Sequence, residues 1–206
     1  MTLRAVSAVI LAGGRSSRFG RDKLAEPIDA QPLLSRAARA VRPFATEIIV
    51  VVAPGSAPAA AIPDDVTVVH DPVAFEGPLV GLLAGLEAAR EPVVLVVGGD
   101  MPTLVGAILE AMLAELEMPD ATDPRDASEA AQAVVLEHDR RARPLPMVVR
   151  RDPALVAADH LIKAGERRLR ALAETLPTRI IPESIWRAID PDGLTLRDID
   201  TPADLV

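Results

Sequence analysis

The sequence predicts an α/β protein: one domain built on a doubly wound, mostly parallel sheet. Two observations predict it. Uninterrupted apolar runs recur along the first half of the chain, at Val6 to Leu11, Ile48 to Ala53, Val66 to His70 and Val93 to Val97. Runs rich in β-branched residues and without polar alternation belong to strands buried on both faces, as in a parallel sheet. Between the runs lie stretches with helical spacing, near 32–42, 79–90 and 103–117. Strand and helix in alternation imply right-handed crossovers and helices on both sheet faces.

Taken in order, the first run (VSAVIL) ends in Gly13-Gly14, the second (IIVVVA) in Pro54-Gly55 and the fourth (VVLVV) in Gly98-Gly99. Glycine and proline at these points mark turns. The small-residue face Gly81, Ala84, Gly85, Ala88 of the second helical stretch suits close packing on the sheet. Thr103, directly after Pro102, is the expected N-cap of the third. Residues 118–131 (MPDATDPRDASEAA) are polar and proline-containing, and read as a loop inserted within one fold. Strands follow near 132–137 and 145–150, an antiparallel pair across the basic turn HDRRARP. Helices are expected near 153–163 and 166–176, and a short strand near 178–182. The tail 194–206 reads as a strand, a turn and a final helix start, with Thr201-Pro202 as cap and first helical residue. Neither repeats nor low-complexity tracts interrupt the 206 residues, so 1–206 is one domain.

Composition narrows the function. Half the residues are hydrophobic and a quarter charged, enough for a substantial core. The chain has no cysteine, which excludes a disulfide framework, a thiolate zinc site and a cysteine nucleophile. A net charge of −8 argues against a nucleic-acid partner. The apolar N-terminal stretch is too short for a membrane span and lacks a signal-type cleavage site, so no membrane association and a cytoplasmic setting are expected.

Against the acidic background, Arg15, Arg18, Arg21 and Lys23 stand in one short loop with a single acid, Asp22. The loop follows the first buried strand as Leu11-Ala12-Gly13-Gly14-Arg15 and onward to Lys23. In open α/β sheets ligands bind beyond the carboxyl ends of strands. Glycines there admit phosphate oxygens to backbone N–H groups, and the cations add charge-assisted bonds. The spacing is neither G-x-G-x-x-G nor G-x-x-x-x-G-K-[ST], which disfavours a dinucleotide fold and a P-loop ATPase. Asp100 follows the fourth strand in VVLVVGGDMP, where a carboxylate oxygen is the hard ligand magnesium takes, completed by waters and substrate phosphates. Asp71 ends the third strand and is either a turn residue or a ligand contact. Asp198 and Asp200, in LRDIDTPADL, share one side of the expected strand and either line a site or cap the last helix. His70, His138 and His160 show no ligand spacing, and Trp186 reads as packing. The cluster Arg140, Arg141, Arg143 is either a solvated turn or an attractor for an anionic ligand.

LAGGRSSRFGRDKL, DPVAFEGPLVGLLAGL, VLVVGGDMPTL, RPLPMVVRRDPAL and LRDIDTPADL, in this order, resemble the molybdenum cofactor guanylyltransferases. The resemblance runs from about residue 6 to 205 and implies a Rossmann-like, glycosyltransferase-A-like nucleotidyltransferase fold. Residues 1–118 would form its nucleotide-binding half and 119–206 its acceptor side. It implies transfer of GMP from GTP to molybdenum-bound molybdopterin, with Mg²⁺ as cofactor and pyrophosphate released. It also admits molybdoenzymes or their chaperones as partners. Carried onto this chain, Leu11, Ala12 and Gly13 would line the nucleotide, with Gly14, Arg15, Arg18 and Lys23 at its phosphates. Asp71 would contact the nucleotide, Asp100 would hold both nucleotide and Mg²⁺, and Asp198 and Asp200 would meet the pterin. Lys23, Asp100 and Arg18 are the expected catalytic residues. Four positions depart from the family pattern: Phe19 where Met is usual, Gly98-Gly99 in place of Pro-Cys, and Ala53 where an Asn contacts the nucleotide. A CTP-dependent molybdopterin cytidylyltransferase, or a relative with another phosphorylated acceptor, is therefore the alternative.

Overall fold

The computed structural model describes residues 5–13, 24, 26–28, 31–54, 65–71, 76–118, 130–199 and 201–205. In chain order the elements are β1 (Val6–Leu11), a small ribbon of β2 (Pro27–Ile28) and β3 (Gln31–Pro32), α1 (Leu33–Val41), β4 (Glu47–Val52), β5 (Thr67–His70), α2 (Pro78–Ala88) and β6 (Val93–Gly98). Then come α3 (Gly106–Glu117), β7 (Ala133–His138), β8 (Arg141–Arg150), α4 (Arg151–Lys163), α5 (Leu169–Thr175), β9 (Thr178–Ile181) and α6 (Glu183–Trp186).

Seven strands form one sheet in the order β5-β4-β1-β6-β8-β7-β9. β5, β4, β1 and β6 are mutually parallel, β8 is antiparallel to both β6 and β7, and β9 is parallel to β7. Only β8 thus runs against the rest, and the sheet is mostly parallel as expected. The apolar runs are continuous because both faces are covered. Ala8, Ile10, Val50, Leu95 and Val97 face α1 and α3, while Val9, Ile49, Val51, Val94 and Val96 face α2, α4 and α5. The small-residue face of α2 does pack closely: a Cβ on Gly85 would stand 2.6 Å from Val9 Cγ1.

Three local expectations change. α3 begins at Gly106 with no side-chain cap, and the Thr103 hydroxyl instead donates to Leu194 O at 2.7 Å. Arg141 onward joins the strand rather than the turn, leaving a two-residue turn at Asp139 and Arg140 with φ of 51° and 61°. Such a turn matches the twist of a hairpin but strains non-glycine residues. The Glu183 carboxylate offsets the strain by accepting the Asp139 N–H at 3.0 Å and meeting His138 Nδ1 at 2.9 Å. The tail forms no strand at 194–198. Leu194–Leu196 is a 3₁₀ turn, because the buried Asp190 carboxylate takes the N–H groups of Leu194 (3.0 Å) and Thr195 (2.8 Å) that a sheet ladder would need. The signal for this was in the sequence, since Asp190-Pro191-Asp192-Gly193 is a turn composition. A second 3₁₀ turn, Pro202–Leu205, follows, and Asp204 Oδ2 accepts from both the N–H and the hydroxyl of Thr201. Trp186 is packing, 1 % exposed, with its indole N–H on Glu137 O at 2.7 Å.

Candidate active site at the carboxyl edge of the sheet

The parallel strands β5, β4, β1 and β6 end on one edge. After β1 the chain crosses to β4 on one side, and it later returns to β6 on the other, so the strand order reverses between β1 and β6. A reversal of this kind leaves a crevice beyond the strand ends. The loops that leave β1 and β6 are joined there by backbone hydrogen bonds. Gly99 N–H donates to Leu11 O at 3.0 Å, and Ala12 N–H donates to Val51 O at 2.8 Å. Leu11, Ala12 and Gly13 therefore lie between the ends of β4 and β6. Leu24, the residue after Lys23, packs beside the same loop: a Cβ on Gly99 would stand 3.3 Å from Leu24 Cδ2 and 3.4 Å from Leu11 O. Gly14, Arg15, Arg18 and Lys23 lie outside the described residues, as does Asp200.

Asp100 sits in a tight turn that closes β6. Met101 N–H donates back to Gly98 O at 3.3 Å, and Gly98 N–H is 3.3 Å from Met101 Sδ. The Asp100 carboxylate folds over Gly98, so close that a Cβ at 98 would stand 2.5 Å from Oδ1. Glycine at 98 is thus what permits this carboxylate position. Arg36 of α1 reaches Pro102, two residues further on, with Nε donating to Pro102 O at 3.5 Å.

Asp71 leaves β5 with its N–H on Val52 O at 2.9 Å, and its Oδ2 lies 3.4 Å from where a Cβ on Gly81 would be, against the start of α2. Three strand spacings separate the ends of β5 and β6, roughly 14 Å. Asp71 and Asp100 therefore stand at strand ends on either side of the switch point. Asp198 is exposed, and its neighbour Ile199 donates its N–H to Asp100 O at 3.0 Å, so the tail passes directly beside the Asp100 turn. The β7–β8 hairpin borders the far side. β8 pairs with β6 from Met147 onward, leaving Arg141 and Arg143 to extend past the end of β6.

Among the described residues, His138, Asp139 and Glu183 lie close enough to share an ion. Their atoms are engaged in the hairpin turn: Glu183 Oε1 also takes Arg187 Nε at 3.3 Å, and a guanidinium there opposes a bound cation. The Asp139 N–H, then His138, hold the Glu183 carboxyl below the ordinary carboxylate range. This cluster braces the turn.

A doubly wound sheet with a switch point between a glycine turn and an aspartate turn is the arrangement in which α/β proteins bind ligands beyond their strand ends. Residues 8–180 match the MobA-like NTP transferase domain, and the chain belongs to that family. One relative is a molybdenum cofactor guanylyltransferase from Burkholderia ambifaria, 33 % identical over 174 residues, covering 81 % of this chain and 80 % of that protein. Another, from Desulfosudis oleivorans, carries the same name and is 29 % identical over 202 residues, covering 98 % of this chain and 93 % of its own. The fold also matches the crystal structure of molybdopterin-guanine dinucleotide biosynthesis protein A from Archaeoglobus fulgidus, with a TM-score of 0.72, 20 % identity, and 97 % and 94 % of the two chains covered. The protein is a nucleotidyltransferase whose relatives serve molybdenum cofactor synthesis.

Proposed function

We propose that the protein transfers GMP from GTP to molybdenum-molybdopterin in the cytoplasm, releasing pyrophosphate, with Mg²⁺ held by Asp100. The observation that carries this reading is the hydrogen bond from Gly99 to Leu11, which sets the glycine loop and the Asp100 turn side by side. The names of the full-length relatives support the substrates.

The reaction is displacement at the α-phosphorus. The acceptor's terminal phosphate oxygen forms the new P–O bond, and the bond to the β-phosphate oxygen breaks, releasing pyrophosphate. Such chemistry asks for positioning and charge neutralisation. The backbone at Gly13-Gly14 cradles the triphosphate, and Arg15, Arg18 and Lys23 neutralise its oxygens. Asp71 orients the nucleotide from the β5 side. Asp198, Asp200 and the overhanging hairpin meet the acceptor. A carboxylate beyond a strand end supplies the hard oxygen that Mg²⁺ takes, with waters and substrate phosphates completing its coordination. When bound, the ion supplies Lewis-acid polarisation of the phosphoryl oxygens.

One observation favours CTP as a second reading. Ala53 lies against the glycine loop, its N 3.5 Å from where a Cβ on Gly13 would be, and offers no side-chain amide to a base. Incubation with molybdopterin, Mg²⁺ and each nucleoside triphosphate in turn, with the dinucleotide product identified, tests both. A product from GTP alone upholds the proposal. A product from CTP alone replaces guanylyl with cytidylyl transfer, and turnover only with another phosphorylated acceptor removes the pterin.

A further inference from the structure

The tail of the chain grips the loop that carries Asp100 at three places. Ile199 N–H donates to Asp100 O at 3.0 Å, the Thr103 hydroxyl donates to Leu194 O at 2.7 Å, and Val105 N–H donates to Thr195 Oγ1 at 3.2 Å. Two of the three, at Leu194 and Thr195, come from the turn that Asp190 shapes, and Ile199 follows it by four residues. This carboxylate, 2 % exposed, accepts the N–H groups of Leu194 and Thr195 with its two oxygens. Thr195 is itself fully buried. Gly193, at φ 68°, completes the turn; a Cβ there would stand 2.6 Å from Arg187 Nη1, which instead donates to Pro191 O at 3.0 Å. Ile199, 1 % exposed, seals the other end.

A buried carboxylate with both oxygens on backbone N–H groups is costly to desolvate, and those bonds fix the turn. The turn packs on β8 and, through Leu196, on the core, and it holds the β6–α3 loop at Thr103 and at Val105, the residue that precedes α3. We infer that Asp190 is a positioning residue, which through the Thr195 turn and Ile199 clamps the β6–α3 loop and sets the Asp100 carboxylate for its ion. The inference rests on the proposed role of Asp100. Burial pushes the Asp190 carboxyl up, but the N–H groups of Thr195 and Leu194 outweigh it and hold the group below its ordinary range, so it stays ionised while the enzyme works.

The test uses the full chain with Asp190→Asn, Thr195→Val, Thr195→Ser and Asp100→Asn. Thr195→Val removes the hydroxyl at nearly constant volume and serves if Asp190→Asn does not fold. Thermal unfolding checks the fold of each variant. Two quantities are read: amide hydrogen exchange across 99–105 in the metal-free protein, and the Mg²⁺ concentration giving half-maximal pyrophosphate release. Asp190→Asn and Thr195→Val are expected to exchange about tenfold faster over 99–105 and to need about tenfold more Mg²⁺, with exchange in β1 and β4 unchanged. Thr195→Ser is expected to restore both. Exchange and Mg²⁺ requirement at the parent level in a folded Thr195→Val protein overturn the clamp. Faster exchange with an unchanged Mg²⁺ requirement overturns the link to the ion. Asp100→Asn separates the two ideas: an ordinary Mg²⁺ response in that variant sinks the metal role of Asp100, while the exchange data still report the clamp.

Discussion

At Gly98 the absence of a side chain decides where the Asp100 carboxylate can be. A Cβ would meet Asp100 Oδ1 at 2.5 Å and Met101 Cγ at 3.2 Å. The carboxylate is the free end of a short side chain, so it yields before the backbone does. Gly98→Ala is therefore expected to fold with a melting temperature within a few degrees of the parent, since ~1 kcal/mol moves a domain of this size by about 2–4 °C. Turnover should fall by at least tenfold, because the carboxylate is displaced. A thermal melt beside a pyrophosphate-release assay checks both, and an active Gly98→Ala enzyme would show that the carboxylate works from another rotamer. Glu166 gives a pH prediction. It accepts the side chain and N–H of Arg168 and the N–H of Arg167, which together lower its carboxyl from 4.5 to about 2. A depressed folded pKa means the stabilisation is complete above about 4.5 and is lost as the pH falls toward 2. The protection factors of the Arg167 and Arg168 amides, with the intrinsic pH dependence of exchange divided out, should fall as the pH drops through that window and stay flat above it; a midpoint near 4.5 would mean the bonds do not hold in solution.

Helix α2 shows how an element's packing outranks its propensity. Glycine in a helix interior costs up to about 1 kcal/mol relative to alanine, so Gly85→Ala would stabilise an exposed helix. Here the added Cβ meets Val9 Cγ1 at 2.6 Å and Val51 Cγ2 at 3.1 Å, on buried β-branched side chains with little rotamer freedom. Overpacking of this kind costs about 1–3 kcal/mol, which exceeds the propensity gain. Gly85→Ala is expected to lower stability in denaturant unfolding, and a rise in midpoint would mean that α2 can shift away from the sheet. The β7–β8 hairpin makes the opposite point. Of its two turn residues Arg140 is poor in turn propensity, and a carboxylate from α6, 44 residues from Asp139 in sequence, holds the turn.

At the scale of the whole molecule, the strand order sets two acidic residues at separate strand ends. Asp71 and Asp100 stand three strands apart, on either side of the switch point. Asp71→Asn is expected to raise the KM for nucleotide severalfold and leave the Mg²⁺ requirement in place, whereas Asp100→Asn should abolish the Mg²⁺ response. Nucleotide and metal titrations of the two variants separate these outcomes, and a shared loss of metal dependence would place both carboxylates on one ion.

The central strands β1, β4 and β6 and the loops they end in were legible in the sequence because local composition carries the information: a strand buried on both faces must be apolar throughout, and a ligand loop beyond it must turn. The same holds for Leu11, Ala12, Gly13, Asp71 and Asp100, whose places at strand ends follow from the runs before them. What tertiary structure alone decided are the partners of groups that could bond in several ways. Thr103 was free to cap α3 and instead holds Leu194; the tail could have laddered as a strand, and Asp190 folds it into a turn that reaches Asp100. Hydrogen-bonding groups remote in sequence compete for the same N–H donors, and the winner is set by which of them the packed sheet brings within 3 Å.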